Sequence, residues 1–193
     1  MQRTPGNGQN GCMEAIEAPP GHTPEGGVLV GSQGARRRLV VFEDLQCPYC
    51  REFEAVSGDL LRREVAAGAV AVEYRIRSFL GDESVRAANA LAVAAGDGRF
   101  DELRREMFAN QPPEHSGGYS TQDLLELGSR VGLASADYVE GVQEGRYEVW
   151  VREIDEVFEE QDPRGTPFAV LDGRPVGFDT LSDPESLGAL IRS

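Results

Sequence analysis

The chain has 193 residues, of which 40% are hydrophobic, so it is long enough and apolar enough to bury the core of one domain. Its 33 acidic and 19 basic residues give a net charge of −14, and every basic residue is arginine. An acidic surface repels phosphate, which argues against nucleic-acid binding. Three cysteines are too few for the disulfide framework of a small secreted domain.

The first 26 residues are rich in Gly, Pro, Asn and Gln, a composition typical of a disordered tail. This segment lacks the apolar h-region of a secretory signal, and no stretch of the chain has the length and hydrophobicity of a membrane span. The sequence as written therefore predicts a cytoplasmic protein, with export or the cell envelope as the alternative if a leader is missing. Cys12 lies in the tail and is interpreted as an incidental thiol.

Residues 27–193 predict one α/β domain. A short strand at 27–31 precedes a stronger strand at 38–44, and apolar residues then recur at helical spacing from about 48 to 67. The next segment, 69–79, alternates as a strand does. Strand, helix and strand in this order form a βαβ unit, whose two strands pair in parallel.

Helices are predicted throughout the middle of the chain, from about 82 to 161. Asp82 or Ser84 is expected to be the N-cap of the first of them, and Ser120 and Ser135 are expected to cap two later helices. A helical block of this length between strands is an insertion in the α/β domain.

The chain ends with two further strands and a helix. The first strand is predicted at 167–172, a short one follows its turn, and the last helix begins with Asp183 as N-cap and Pro184 at the first helical position. The predicted fold class is therefore α/β, a central mixed β-sheet with an α-helical insertion between its two halves.

The stretch VVFEDLQCPYCREFE, residues 40–54, places two cysteines where the strand gives way to the helix. Cys47 falls at the N-cap and Pro48 at the first helical position. The free N–H groups of the first turn and the helix dipole stabilise a thiolate at Cys47 and lower its pKa. Cys50, within one turn of Cys47, can attack a mixed disulfide formed there. The spacing predicts an attacking thiol and a resolving thiol.

Two other interpretations of the cysteine pair are half of a zinc site and two buried structural thiols. A structural zinc ion needs four ligands, and the remaining cysteine and histidine candidates, Cys12, His22 and His115, form no second ligand-spaced pair. The sequence therefore favours a redox pair without a metal. No organic cofactor is implied either, because the two thiols carry the two electrons.

Residues 40–54 and the later stretch GTPFAVLDG, residues 165–173, resemble the DsbA-like thiol–disulfide oxidoreductases of the thioredoxin superfamily. The resemblance covers residues 27–193 and implies a thioredoxin-like fold with a helical insertion. It implies that Pro167 is the family's cis-proline, facing the cysteines, and that Thr166 presents backbone groups to a bound substrate strand.

The resemblance has two departures. Members of the superfamily often bury a carboxylate six residues before the first cysteine, as a proton acceptor for the second, and here that residue is Val41. Glu43 and Asp44 lie close by, but at a strand end we expect both to be exposed. The dipeptide of the redox motif is Pro48-Tyr49, whereas DsbA has a Pro-His pair. Since tyrosine lacks the electrostatic effect of histidine, we expect a less oxidising protein than DsbA.

The sequence thus predicts a thiol–disulfide oxidoreductase that exchanges disulfides with proteins or low-molecular-weight thiols. Cys47 attacks, Cys50 resolves, and the direction of electron flow is left open. A monomer is expected, because the chain lacks the N-terminal dimerisation domain of the dimeric isomerases of the superfamily. The alternative is a thioredoxin-fold module that binds a partner without redox turnover.

Overall fold

The computed structural model describes residues 17–161 and 163–193, and these form five strands and eight helices. The strands are β1 (Val28–Val30), β2 (Arg37–Asp44), β3 (Val70–Arg77), β4 (Phe168–Leu171) and β5 (Arg174–Val176). The helices are α1 (Pro48–Ala66), α2 (Asp82–Gly96), α3 (Phe100–Ala109), α4 (Thr121–Arg130), α5 (Ala136–Gln143), α6 (Glu148–Glu159), α7 (Phe178–Leu181) and α8 (Pro184–Arg192). Within these described ranges, no helix is both long enough and apolar enough to cross a bilayer.

All five strands form one mixed sheet in the order β1-β3-β2-β4-β5. Strands β2 and β3 pair in parallel, with Val41 opposite Tyr74, and the other neighbours are antiparallel. The parallel pair is the one predicted from the βαβ unit. The α/β fold with a mixed central sheet is confirmed, and β2, which leads into the cysteine pair, lies at its centre.

Alternate side chains of β2 enter two different parts of the core. Val41 joins the main cluster, together with Phe53 of α1. Its neighbour Phe42 belongs to a second cluster, in edge-to-face contact with Phe158 of α6 at 5.8 Å between ring centroids. Since successive strand residues point to opposite faces, α1 and α6 cover opposite faces of the sheet and hold β2 rigidly between them.

Most of the predicted helix starts are observed, and one is different. Ser120 forms a capping box with Asp123 at the start of α4, and Ser135 accepts a hydrogen bond from the Tyr138 N–H at the start of α5. The prediction that Asp82 or Ser84 caps α2 is wrong, because Gly81 occupies the N-cap with a φ of 103°, a conformation that glycine adopts without strain. The short helix α7 was not predicted.

The segment just before β1 packs against the domain. The Thr23 hydroxyl donates to Oε1 of Glu73 at 3.3 Å, and the His22 ring meets the Trp150 ring edge-to-face at 4.8 Å. The packed part of the chain therefore begins before residue 27, where the sequence placed the end of the tail. Residues 1–16, and with them Cys12, lie outside the described residues.

Candidate redox site

Cys47 and Cys50 lie at the start of α1, above the end of the central strand. Cys47 is the N-cap residue, with extended backbone, and Pro48 follows at the first helical position. Both cysteines are buried and both thiols are free. The Cys50 N–H donates to the Cys47 carbonyl oxygen at 3.1 Å. The second thiol therefore lies directly behind the first, as the spacing predicted.

The surroundings of Cys47 lower its pKa to about 6, from an ordinary value of 9.0. The largest contribution is a hydrogen bond from the Cys50 thiol, which stabilises a negative sulfur. The Thr166 side chain and the N–H groups of Cys50 and Tyr49 add to it, whereas burial opposes ionisation. At neutral pH Cys47 is consequently a thiolate, the form that is both the nucleophile and the good leaving group.

Cys50 has the opposite character. Burial raises its pKa well above the ordinary value, and its hydrogen bond to Cys47 and the negative charges of Cys47 and Glu43 raise it further. The side chain has no exposed surface. Two thiols three residues apart are thus set to different protonation states, one ionised and accessible at its edge, the other neutral and enclosed.

Thr166 and Pro167 lie across from the cysteine pair, at the start of β4. The peptide bond between them is cis. The Cys47 thiol, when protonated, donates to the Thr166 carbonyl oxygen, with Sγ and the oxygen 3.3 Å apart. The Thr166 hydroxyl is buried and has no other hydrogen-bond partner among the described residues, so it is available to donate to the Cys47 thiolate.

Glu43 and Asp44 are fully buried, which corrects the expectation that they are exposed at the strand end. Asp44 Oδ1 accepts hydrogen bonds from the Gln46 N–H at 2.8 Å and the Ser84 hydroxyl at 2.7 Å. Burial raises the pKa of Asp44 to about 6, and the Cys47 thiolate adds to the shift. The expectation failed because the helical insertion, which supplies Ser84, covers this end of β2.

Glu43 is neutralised by an arginine from α3. Arg104 forms a two-pronged ion pair with it, and a third guanidinium nitrogen donates to Oε2 of Glu54 at 2.8 Å. The guanidinium carbon also lies 4.0 Å from the centre of the Tyr74 ring, a cation–π contact. Burial raises the pKa of Glu43, against the attraction of Arg104. A buried, mutually satisfied charge cluster thus lies beneath the cysteines.

The comparison with known proteins agrees with this geometry. A family model described as thioredoxin matches residues 23–193. The chain belongs to the thioredoxin family. No curated protein matches it in sequence.

Solved structures share the fold of this thioredoxin-family chain. The disulfide bond oxidoreductase DsbG from Mycobacterium tuberculosis, in its reduced form, has 24% identity and a TM-score of 0.77, over 88% of each chain. DsbA from the same organism has 24% identity and a TM-score of 0.74, over 86% of this chain and 90% of its own. MdbA, a thiol-disulfide oxidoreductase from Actinomyces oris, has 19% identity and a TM-score of 0.79, over 94% and 92%.

In this thioredoxin-family chain the helical insertion also holds the loop that carries the first cysteine. The Gln111 side-chain amide donates to the carbonyl oxygens of Leu45 at 2.7 Å and Cys47 at 3.0 Å. The Tyr119 hydroxyl lies 3.4 Å from the same Leu45 oxygen and 2.9 Å from that of Met107. Sequence reasoning missed Gln111, because a glutamine at the start of a Pro- and Gly-rich loop carries no signal of such a role.

Two exposed aromatic side chains lie beside the redox site. Tyr49 is 59% exposed and Phe178 is 44% exposed. Their rings meet edge-to-face at 6.1 Å, so Tyr49, the second residue of the dipeptide, is held toward the C-terminal end of the fold. Phe178 was missed because its short helix, α7, was not predicted.

The two described histidines lie apart from the cysteine pair. His22 packs against Trp150, and His115 is exposed in the loop before α4, at a φ of 55°. Among the residues that the structure describes, no group of three or more His, Cys, Asp or Glu side chains could hold a metal ion. The geometry of the described chain therefore gives the zinc interpretation no support.

Proposed function

We propose that the chain is a thiol–disulfide oxidoreductase in which Cys47 attacks and Cys50 resolves. The observation that carries the proposal is the asymmetry of the pair: the pKa of Cys47 is lowered to about 6, while burial raises that of Cys50 well above its ordinary value. A purely structural pair of thiols does not require this difference. Perturbed pKa values in a named pair at a helix N-terminus are typical of functional thiols.

The reaction begins with the Cys47 thiolate attacking one sulfur of a partner disulfide. A mixed disulfide forms and the partner's other sulfur leaves as a thiolate. Cys50 then loses its proton and attacks the Cys47 sulfur, which releases the second partner thiolate and closes the Cys47–Cys50 disulfide. The partner has gained two electrons and the chain has lost two. The reverse sequence oxidises a partner dithiol.

The first step changes the acidity of Cys50. In the reduced protein the negative charge of Cys47 is one cause of the raised Cys50 pKa. Once Cys47 is part of a mixed disulfide that charge is gone, so the Cys50 pKa falls. The resolving thiol is therefore suppressed until a partner is attached and activated when release is needed.

Thr166 and Pro167 are the proposed docking point for the partner. The Thr166 carbonyl oxygen lies 3.3 Å from the Cys47 sulfur, so a partner cysteine that reaches this sulfur brings its own backbone alongside Thr166. Backbone hydrogen bonds there accept any side chain. This supports the proposal that proteins, as well as low-molecular-weight thiols, exchange disulfides with the chain.

The direction of electron flow follows from the redox potential. A Cys47 pKa of about 6 lies between the values of about 3.5 for DsbA and about 7 for thioredoxin. We therefore expect an intermediate potential, between about −120 mV for DsbA and about −270 mV for thioredoxin. Titration in graded thiol buffers, read by alkylation and mass spectrometry, measures it. A value near the upper limit would favour an exported oxidase, and one near the lower limit a cytoplasmic reductase.

The alternative, a binding module without turnover, makes a different prediction for Cys47→Ser. An oxidoreductase loses turnover of a disulfide peptide in this variant, whereas a binding module keeps its partner affinity. Cys50→Ser supplies the second arm, because it should accumulate a mixed disulfide at Cys47 that mass spectrometry detects. A cysteine pair that never exchanges with small thiols would contradict the proposed function.

A further inference from the structure

An open groove runs away from the redox site between α1 and α3. It has a volume of about 860 Å³ and begins at Pro48 and Tyr49, immediately after Cys47. Farther along, α1 contributes Ala55 and Arg62. Pro48 and Arg62 lie roughly 21 Å apart along the helix, since each helical residue adds about 1.5 Å. An extended chain advances about 3.3 Å per residue, so the groove has room for roughly six residues.

The floor of the groove is apolar. Ala55 on α1 and Ala109 on α3 are both exposed, and the edge of Phe108 lies between the two helices. Small side chains on both walls leave the space open, and they present hydrocarbon surface to whatever enters. A floor of this kind favours an apolar side chain over a polar one.

Most of the charges along the rim of the groove are already paired. Arg62 donates to Glu54 at 2.6 Å and also pairs with Asp59. Arg105 pairs with Asp101 at 3.3 Å. These pairs leave the groove close to neutral, in a chain whose net charge is −14. The groove therefore lacks the excess of acid found in the molecule as a whole.

Arg51 and Glu52 are the rim residues that have no ion pair among the described residues. Both are exposed, one turn from Cys47. A guanidinium donates to backbone carbonyl oxygens and a carboxylate accepts from backbone N–H groups. The two side chains can thus hydrogen-bond the backbone of an extended segment without selecting its side chains.

From these features we propose that the groove binds the segment of a partner protein adjacent to its reacting cysteine, in extended conformation, and selects apolar side chains there. This inference rests on the proposed function and adds a substrate class to it: polypeptides with an apolar residue a few positions from the cysteine. The groove is continuous with the redox motif at Pro48 and Tyr49, so a partner joined at Cys47 reaches it without leaving the surface.

The test uses peptides whose single cysteine is linked by a disulfide to a fluorescent small thiol, with dithiothreitol as the final reductant. One peptide has leucines two to four positions before the cysteine, a second has them after it, and a third has serines on both sides. We expect one of the leucine peptides to react with a kcat/KM about tenfold above that of the serine peptide, equivalent to about 1.4 kcal/mol.

The matched variants are Ala55→Trp, which fills the groove, and Val56→Trp, which adds the same side chain at the neighbouring exposed position outside the groove. Ala55→Trp should reduce the preference for leucine to about twofold or less, whereas Val56→Trp should keep it. Ala109→Trp, on the opposite wall, should act like Ala55→Trp. Agreement between two walls excludes a local disturbance of α1 as the cause.

The outcomes separate the groove from the redox chemistry. Equal rates for leucine and serine peptides, or a preference that survives both groove variants, would overturn the inference while turnover persists. A second copy of the chain as the occupant would appear as a dimer in light scattering that Ala55→Trp disrupts, with unchanged selectivity, and would also overturn it. Absence of any exchange between Cys47 and dithiothreitol in the unmodified protein would instead contradict the proposed function.

Discussion

At the scale of single residues, two adjacent groups titrate in the same range. Cys47 and Asp44 both have a pKa of about 6, the first lowered chiefly by the Cys50 thiol and the second raised by burial. Each negative charge disfavours the other. Groups that interact this closely release their protons in steps that belong to the pair, so the thiolate content of the reduced protein should change gradually around pH 6.

Replacing Asp44 by Asn should simplify that titration. The amide oxygen can still accept from Gln46 and Ser84, but the negative charge is lost, so the pKa of Cys47 should fall and its titration should become a single step. The rate of alkylation of Cys47 as a function of pH measures this. Ser84→Ala, which removes a hydrogen bond but no charge, is the control. An unchanged profile in Asp44→Asn would show that the carboxylate does not act on the thiolate.

The stability of the reduced protein should depend on pH through Cys47. Its pKa of about 6 lies below the ordinary 9.0, so between these values the unfolded chain binds more protons than the folded one. The contribution of Cys47 to stability therefore grows as pH rises from about 6 towards 9 and is lost as pH falls through 6. Urea unfolding of the reduced protein and of Cys47→Ser measures it. A difference between them that does not increase with pH would contradict the assignment.

At the scale of elements, α3 supplies the cation that makes the buried end of β2 tolerable. Arg104 has no exposed surface and pairs with Glu43 and Glu54. Breaking a buried pair by removing one partner typically costs about 3–5 kcal/mol, because the other charge stays unpaired. Glu43, which has no exposed surface either, would be left in that position.

We expect Arg104→Leu to lower the free energy of unfolding by about 3–5 kcal/mol. The double variant Arg104→Leu with Glu43→Gln should recover much of this loss, since the uncompensated charge is then absent. Chemical denaturation of both variants gives the comparison. If the single variant were as stable as the unmodified protein, the pair would not be ionised in the folded state.

The loop before α4 should affect exchange more than folding. Gln111→Ala removes two hydrogen bonds to the carbonyl oxygens of Leu45 and Cys47, each worth about 1 kcal/mol. We expect slower exchange with a disulfide peptide and an altered redox potential, with at most about 2 kcal/mol lost in stability. Glu114→Ala, in the exposed part of the same loop, is the control. Identical potentials in both variants would remove Gln111 from the site.

Sequence reasoning succeeded where local chemistry decides the structure. The βαβ unit, the position of Cys47 at a helix start and the caps at Ser120 and Ser135 follow from residues close together in the chain. It failed at Glu43, Asp44 and the cap of α2, because a helical insertion tens of residues away covers the end of β2. Which insertion residues reach the site, Arg104 among them, depends on packing that no local pattern encodes.

At the scale of the whole molecule, the charge should govern which partners approach quickly. The net charge of −14 attracts basic partners over a range of about 10 Å at 0.1 M salt. We expect kcat/KM for a peptide with arginines distant from its cysteine to exceed that of its glutamate counterpart at low salt. The difference should shrink as salt is added. Stopped-flow measurements over a salt series test this, and equal rates at all ionic strengths would contradict it.

The hydrogen bonds from Gln111 and Tyr119 to the loop before Cys47 have a consequence for protein engineering. The insertion might be regarded as a removable module, so that a shorter linker from β3 to β4 would yield a minimal thioredoxin. Such a miniature would instead leave the Leu45 carbonyl without its donors and Glu43 without its guanidinium. The inserted helices and the catalytic half are one cooperative unit, and a functional miniature would need a redesigned β2 end as well as a new linker.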